Sequence, residues 1–162
     1  MLTIRPAVLA DLDGITEIYN NAILETVATF DTEPKTRREQ EAWLAGHGAR
    51  YPVLVAEEAG IITGWASLSQ WSDRCAYLDT AESSLYVRKE CRGRGIGKKL
   101  GQAIIDAGKL SGLHTVIARI AEGNEISVHV FESAGFEHVG VMKEVGLKFG
   151  RRLDVYIQQK IL

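Results

Sequence analysis

The sequence predicts an α/β fold: one three-layer domain spanning residues 1–162, with a central mixed, mostly antiparallel sheet flanked by helices. Three observations predict it. Apolar spacing along the chain reads as β-α-α-β-β-β-α-β-α-β-β. The 162 residues, 46% hydrophobic and 25% charged, suit one ordinary core, with no linker, repeat or low-complexity tract. One stretch, Ser84 to Leu100, joins an extended run to an amphipathic helix through a turn with three glycines in five positions.

Each element has its own signal. Leu2 to Arg5 alternates and stops at Pro6, so it reads as a short edge strand. Asp11 can cap a helix carrying Leu12, Ile15, Ile18, Tyr19, Ala22 and Ile23 at helical spacing. Thr26 to Pro34 breaks that period and reads as a loop. Thr36-Arg37-Arg38-Glu39 is a capping box that opens a second helix through Ala42, Trp43 and Leu44. Tyr51 to Glu57 and Ile61 to Leu68 form a hairpin across Glu58-Ala59-Gly60. Ser69 to Thr80 has no period and reads as a long, functional loop. Ala81 to Arg88 is the strand entering the glycine turn, and the next helix places Ile96, Leu100, Ile104 and Ala107 on one face until Ser111-Gly112 stops it. His114 to Ala121 is apolar and β-branched, hence a buried strand. Asn124 caps a short helix with Ile126, Val130, Phe131 and Ala134 inward, ended by Gly135. Phe136 to Leu147 and Arg152 to Ile161 read as two closing strands.

Composition narrows the function classes. Nineteen basic against twenty-one acidic residues give a formal charge of −2, which argues against a broad nucleic-acid surface. No apolar run approaches the ~20 residues needed to span a bilayer. No signal-peptide pattern opens the chain, so the expectation is a cytoplasmic protein with Cys75 and Cys91 reduced. The spacing of His47, His114 and His138 offers no metal site.

The glycine turn is built for a pyrophosphate. Backbone N–H groups can approach an anion closely where no Cβ intervenes, and the following helix points its positive end at the same place. A P-loop is excluded, because Arg92 stands where its first glycine belongs and Lys99 follows Gly97-Lys98. A dinucleotide fingerprint fits poorly, because the glycines read G-x-G-x-G and Arg88 to Arg92 intervene after the strand, although Glu122 could serve as a ribose acid.

What fits is Arg92-x-x-Gly95-x-Gly97, which resembles the acyl-CoA loop of the GNAT superfamily of N-acetyltransferases. Four further segments, in order, resemble its phosphinothricin and methionine sulfoximine acetyltransferase branch. These are Phe30-x-Thr32-Glu33-Pro34, Trp71-x-x-Arg74-x-x-Tyr77, Glu82 to Val87, and Lys148 to Asp154. The resemblance implies that acetyl-CoA is the co-substrate. It would be held by Leu85, Tyr86 and Val87, by Arg92, Gly93, Arg94, Gly95, Ile96, Gly97 and Lys98, and by Asn124, Ser127 and Phe131. It implies Glu82 as the base that deprotonates an amine, directly or through water. It implies the Val87 N–H, freed where the strand splays at a bulge, as the oxyanion donor. Arg74, with its planar fork, would pair with the carboxylate or phosphinate of a small amino-acid analogue, with Trp71, Tyr77 and Phe30 shaping the pocket. A homodimer is implied as well.

One position departs from the superfamily. Phe131 stands where many members have a tyrosine and the phosphinothricin branch often has histidine, so the thiolate is expected to leave without a side-chain acid. Tyr86 reads as a core residue. Two rival functions remain at this stage: a peptide, protein N-terminal or other small-amine acetyltransferase, and a non-catalytic acyl-CoA sensor.

Overall fold

The computed structural model describes residues 1–162. Its strands are β1 (Leu2–Pro6), β2 (Val53–Glu58), β3 (Ile61–Gln70), β4 (Thr80–Val87), β5 (Thr115–Ala121), β6 (Glu137–Lys148) and β7 (Arg151–Ile161). Its helices are α1 (Leu12–Glu25), α2 (Arg37–Ala45), α3 (Ile96–Leu110) and α4 (Glu125–Ser133). The element order matches the one read from apolar spacing. No helix is long and apolar enough to cross a membrane.

Helix starts show how local chemistry sets the elements, and where it does not. Thr36 caps α2 as its sequence predicts, with its hydroxyl accepting from the Glu39 N–H and Glu39 reaching back to the Thr36 N–H. Asp11 does not cap α1. Its carboxylate accepts from the Arg5 guanidinium at 2.8 Å and from the Val8 N–H, tying α1 to β1. The competing ion pair takes the side chain that would otherwise cap. In α4, Val130 is half-buried while Phe131 and Ala134 face inward, but Ile126 is 74% exposed, contrary to the helical spacing.

The seven strands form one sheet in the order β1-β2-β3-β4-β5-β7-β6. Every neighbouring pair is antiparallel except β4–β5, which is parallel. The larger core packs α3 and α4 on one face, with Leu100 and Ile104 fully buried and Ile96 nearly so. Each such side chain stabilises the fold by roughly 1.5–3 kcal/mol. A smaller core on the opposite face holds α1 through Leu12, Ile15 and Ile18 against Val55, Ile62 and Trp65.

The parallel pair is short. Only Thr80 to Glu82 pair with Thr115 to Ile117. Beyond that point β4 pairs with β3 alone and β5 with β7 alone, so the sheet opens into a wedge. The wedge does not come from a bulge against β3, because the β3–β4 register runs without a shift from Gln70↔Ala81 to Gly64↔Val87. It comes from the end of β4–β5 pairing. The Arg88 N–H donates to Thr63 and the Trp71 N–H donates to Thr80, so the even-numbered residues of β4 face β3. The Ser83 N–H meets β5 in the last parallel rung, and the N–H groups of Leu85 and Val87 point into the opening.

Candidate active site

A cavity of about 720 Å³ fills this wedge and reaches both faces of the sheet. Period-2 alternation along β4 explains how. Ser83 and Leu85 face α3 and α4, while Glu82, Ser84 and Tyr86 face α1, and all five line the same space. The α4 side is completed by Asn124, Ser127 and Phe131. The α1 side is closed by the loop after α1, at Val27 to Asp31, and by Met142 and Val145 of β6. A register shift between Met142 and Gly146, with Glu144 at φ 53, bends β6 inward there.

The glycine turn lies at the open end of the wedge. Gly93 and Gly95 adopt φ values of 75 and 78, and open space surrounds the Cβ each lacks. Gly95 is the N-cap of α3 and no side chain caps the helix, so first-turn N–H groups including those of Ile96, Gly97 and Lys98 are available to an anion. The Ile96 side chain is core, leaving only its amide for this role. A Cβ on Gly97 would meet Val130 at 3.5 Å and Leu85 and Val87 at 3.7 Å, ordinary van der Waals contact, so packing leaves room for a small side chain there. Arg94 is committed elsewhere, its guanidinium donating to both Glu58 oxygens at 3.0 and 2.7 Å. Arg92 folds back onto the Val87 carbonyl at 3.2 Å, and Lys98 is exposed. The turn thus fits a pyrophosphate through backbone and dipole more than through its arginines. Asn124 caps α4 by accepting from the Ser127 N–H, and both residues line the cavity. Phe131 is 5% exposed and packs edge-on to Phe136 at 5.0 Å.

On the α1 side Glu82 has a partner that the sequence analysis missed. Arg119 of β5 meets it through two hydrogen bonds, Nη2 to Oε1 at 2.8 Å and Nε to Oε2. The hydrogen bond to Glu82 raises the Arg119 pKa, so the guanidinium stays charged. It lies over the Trp71 ring, 5.5 Å from the centroid. One signal was available: Arg119 is the only charged residue in the run from His114 to Ala121, and by alternation it shares a face with Ile117, the partner of Glu82.

The loop wall is pinned from three sides. Lys148, 4% exposed, donates to the Thr29 carbonyl at 2.7 Å, and burial lowers its pKa. Phe30 packs where a Cβ on Gly146 would collide with its ring. Tyr86 donates to the Ala28 carbonyl, and Tyr19 hydrogen-bonds to Thr29 and Asp31. Burial raises the pKa of both phenols, so they remain neutral donors. Tyr86 also packs among Tyr19 and Trp65, in line with the core role read from its sequence position.

Of the sequence-predicted residues, the wedge gathers Phe30, Glu82, Leu85, Tyr86, Asn124, Ser127 and Phe131. Trp71, Arg74, Tyr77, Val87 and the turn residues Arg92 to Lys98 lie outside its lining. Arg74 and Tyr77 are exposed on the loop before β4, beside a short 3-10 turn at Cys75–Tyr77. The Arg74 side chain pairs with neither Asp73 nor Asp79; Asp79 pairs with Arg50. Val87 lies toward the glycine turn, about 16 Å of strand from Glu82. No group of three or more His, Cys, Asp or Glu side chains is placed to hold a metal ion.

A profile of the acetyltransferase (GNAT) domain family matches residues 4–157. The chain is 40% identical over 159 residues to the L-methionine sulfoximine/L-methionine sulfone acetyltransferase of Pseudomonas paraeruginosa, covering 97% of this chain and 92% of that protein. It is similar to a crystal structure of a GNAT superfamily phosphinothricin acetyltransferase from Sinorhizobium meliloti in complex with acetyl-CoA. That match has 37% identity and a TM-score of 0.95, and covers 99% of this chain and 88% of that one. A ribosomal-protein-alanine N-acetyltransferase structure from Brucella melitensis matches with the same TM-score of 0.95 and 37% identity, over 99% of each chain.

Proposed function

This chain belongs to the acetyltransferase (GNAT) domain family, and from that premise we propose that it transfers acetyl from acetyl-CoA to the α-amino group of a small amino-acid analogue of the methionine sulfoximine, methionine sulfone or phosphinothricin type. The observation that carries the reading is the wedge itself. It runs from a glycine turn suited to a pyrophosphate to a carboxylate on the opposite face, through a gap lined by unpaired strand N–H groups.

Acetyl-CoA, when bound, supplies the thioester carbonyl that the amine attacks. Gly93, Gly95 and the first turn of α3 would hold its pyrophosphate, with Asn124 and Ser127 along the arm. Glu82 accepts a proton from the incoming ammonium, because only the neutral amine is a nucleophile. The nitrogen loses a second proton as the amide forms, which balances the one that the departing thiolate takes up. The donor for the oxygen that gains charge is the N–H group of Leu85, the first beyond the last β4–β5 rung. It takes that role in place of Val87, because one reacting carbon cannot serve both Glu82 and a donor about 16 Å along the strand. Phe131 has no proton to give and would pack beside the arm, so the thiolate leaves without a side-chain acid.

The pinned loop at Val27 to Asp31 favours a small substrate over a peptide, and the likeness to a ribosomal-protein-alanine acetyltransferase makes the peptide the comparison to run. Thiol release from acetyl-CoA is measured with methionine sulfone, methionine sulfoximine, phosphinothricin, simple amines and alanine-terminal peptides. Fast release with the three analogues and slow release with peptides is expected. The reverse order would replace this reading with the peptide one. We also propose a homodimer, supported by the exposed Val139, Val141 and Leu147 along the edge strand β6.

A further inference from the structure

We propose that Arg119 is the receptor for the substrate's α-carboxylate, and that the zwitterionic head of an amino acid enters the site by exchanging into the Glu82–Arg119 ion pair. The inference rests on the amino-acid reading above. Its starting point is a conflict: the base of an acetyl transfer must be free to meet an amine, yet the Glu82 carboxylate is held by both a guanidinium Nε and an Nη2.

The chemistry of an α-amino acid resolves the conflict. Its ammonium and carboxylate sit on one carbon and carry the charges that Arg119 and Glu82 present to each other. A head group inserted between them returns a positive partner to Glu82 and a negative one to Arg119, so neither charge is left alone in the cavity. The guanidinium fork that pairs with Glu82 can pair with the substrate carboxylate in the same two-bond manner. The exchange also delivers the ammonium to Glu82, where its proton must go.

Two features suit Arg119 to change partners. Its side chain is half exposed and the pair opens onto the cavity, so little is lost on breaking it. Trp71 lies under the guanidinium and keeps it in place whichever carboxylate it holds. Arg74 is not placed for this role, since it is exposed and outside the cavity lining. The arrangement also sets specificity. An amine without an adjacent carboxylate separates Glu82 from Arg119 and leaves the guanidinium unpaired.

The test uses three amines with one side chain: methionine sulfone, its carboxamide, and its decarboxylated amine. With wild type, kcat/KM for the acid is expected to exceed that for either neutral analogue by at least about tenfold, the loss of one charge-assisted hydrogen bond. In Arg119→Gln that advantage is expected to shrink to within about twofold, through a raised KM for the acid, with KM for acetyl-CoA unchanged. Arg119→Lys, which keeps the charge without the fork, is expected to lie between; it decides the matter if Arg119→Gln does not fold. A full acid preference retained in the folded variants would overturn the receptor and leave the amino-acid reading standing. Wild type acetylating peptides and none of the three amines would overturn both.

Discussion

At the scale of single residues, the site divides its work between neighbours on one strand that face opposite ways. Glu82 projects to the α1 face of the sheet, and Leu85 offers its N–H group to the gap. Glu82→Gln is expected to lower turnover by roughly 10²- to 10⁴-fold, the usual contribution of a general base. KM for acetyl-CoA should hardly move, because Glu82 faces away from the glycine turn. Retained turnover would assign the proton to water or another group. Lys148 acts at a distance from the chemistry. Lys148→Met removes the donor that holds the Thr29 carbonyl, and it is expected to raise KM for the amine more than it lowers kcat. Equal effects on both would place Lys148 in the fold rather than in the loop wall.

At the scale of elements, α3 joins a stability role to a binding role, and the two can be separated. Leu100 is fully buried under it, so Leu100→Ala is expected to cost about 2–5 kcal/mol in urea or thermal unfolding. Gly95→Val acts at the N-cap of the helix, at φ 78, where a β-branched residue is strained. Acetyl-CoA should raise the Tm of wild type but not of Gly95→Val. A ligand-induced rise preserved in that variant would move the pyrophosphate away from this turn. The turn after α2 carries a pH response. His47 there lies against the Trp43 carbonyl at 2.7 Å and the Ser69 hydroxyl at 3.0 Å, and burial lowers its pKa from the ordinary 6.5. A lowered value means that the unfolded chain binds the proton more readily. The stabilisation is therefore complete above pH 6.5 and declines as the pH falls below it, until the folded value is reached. His47→Gln should flatten that part of the stability curve. An unchanged slope would place the acid response elsewhere.

At the scale of the whole molecule, one edge of the sheet is unfinished. β1 at the other edge is short and ends in Pro6, whereas β6 runs twelve residues and exposes Val139, Val141 and Leu147. Long apolar edges invite pairing, and a second copy of the same edge is the simplest closed solution. Sedimentation is expected to show a dimer for wild type and a monomer for the Val139→Glu/Leu147→Glu double variant. A monomeric wild type would leave the exposed stripe without a partner.

The sequence by itself determined the order of elements, the glycine turn at the head of α3, and the strand that carries Glu82. Each of these is written in local signals: apolar period, capping residues, and glycines where φ must be positive. The composition of the active site was only partly legible. Alternation could place Glu82 on a face of β4, but not say what stands across from it. Only the tertiary structure brought Arg119 to Glu82 and Lys148 to the loop at Thr29, contacts between segments 37 and 119 residues apart. The same is true of the wedge. Its cause is that β5 leaves β4 after three paired residues to continue with β7. That choice among strand partners belongs to the packing of the whole sheet, and no local period in either strand records it. Arg74 shows the converse. Its neighbourhood resembles a substrate motif, yet the loop carries its side chain into solvent, and the guanidinium that faces the cavity comes from an apolar, β-branched strand in which it is the one charge.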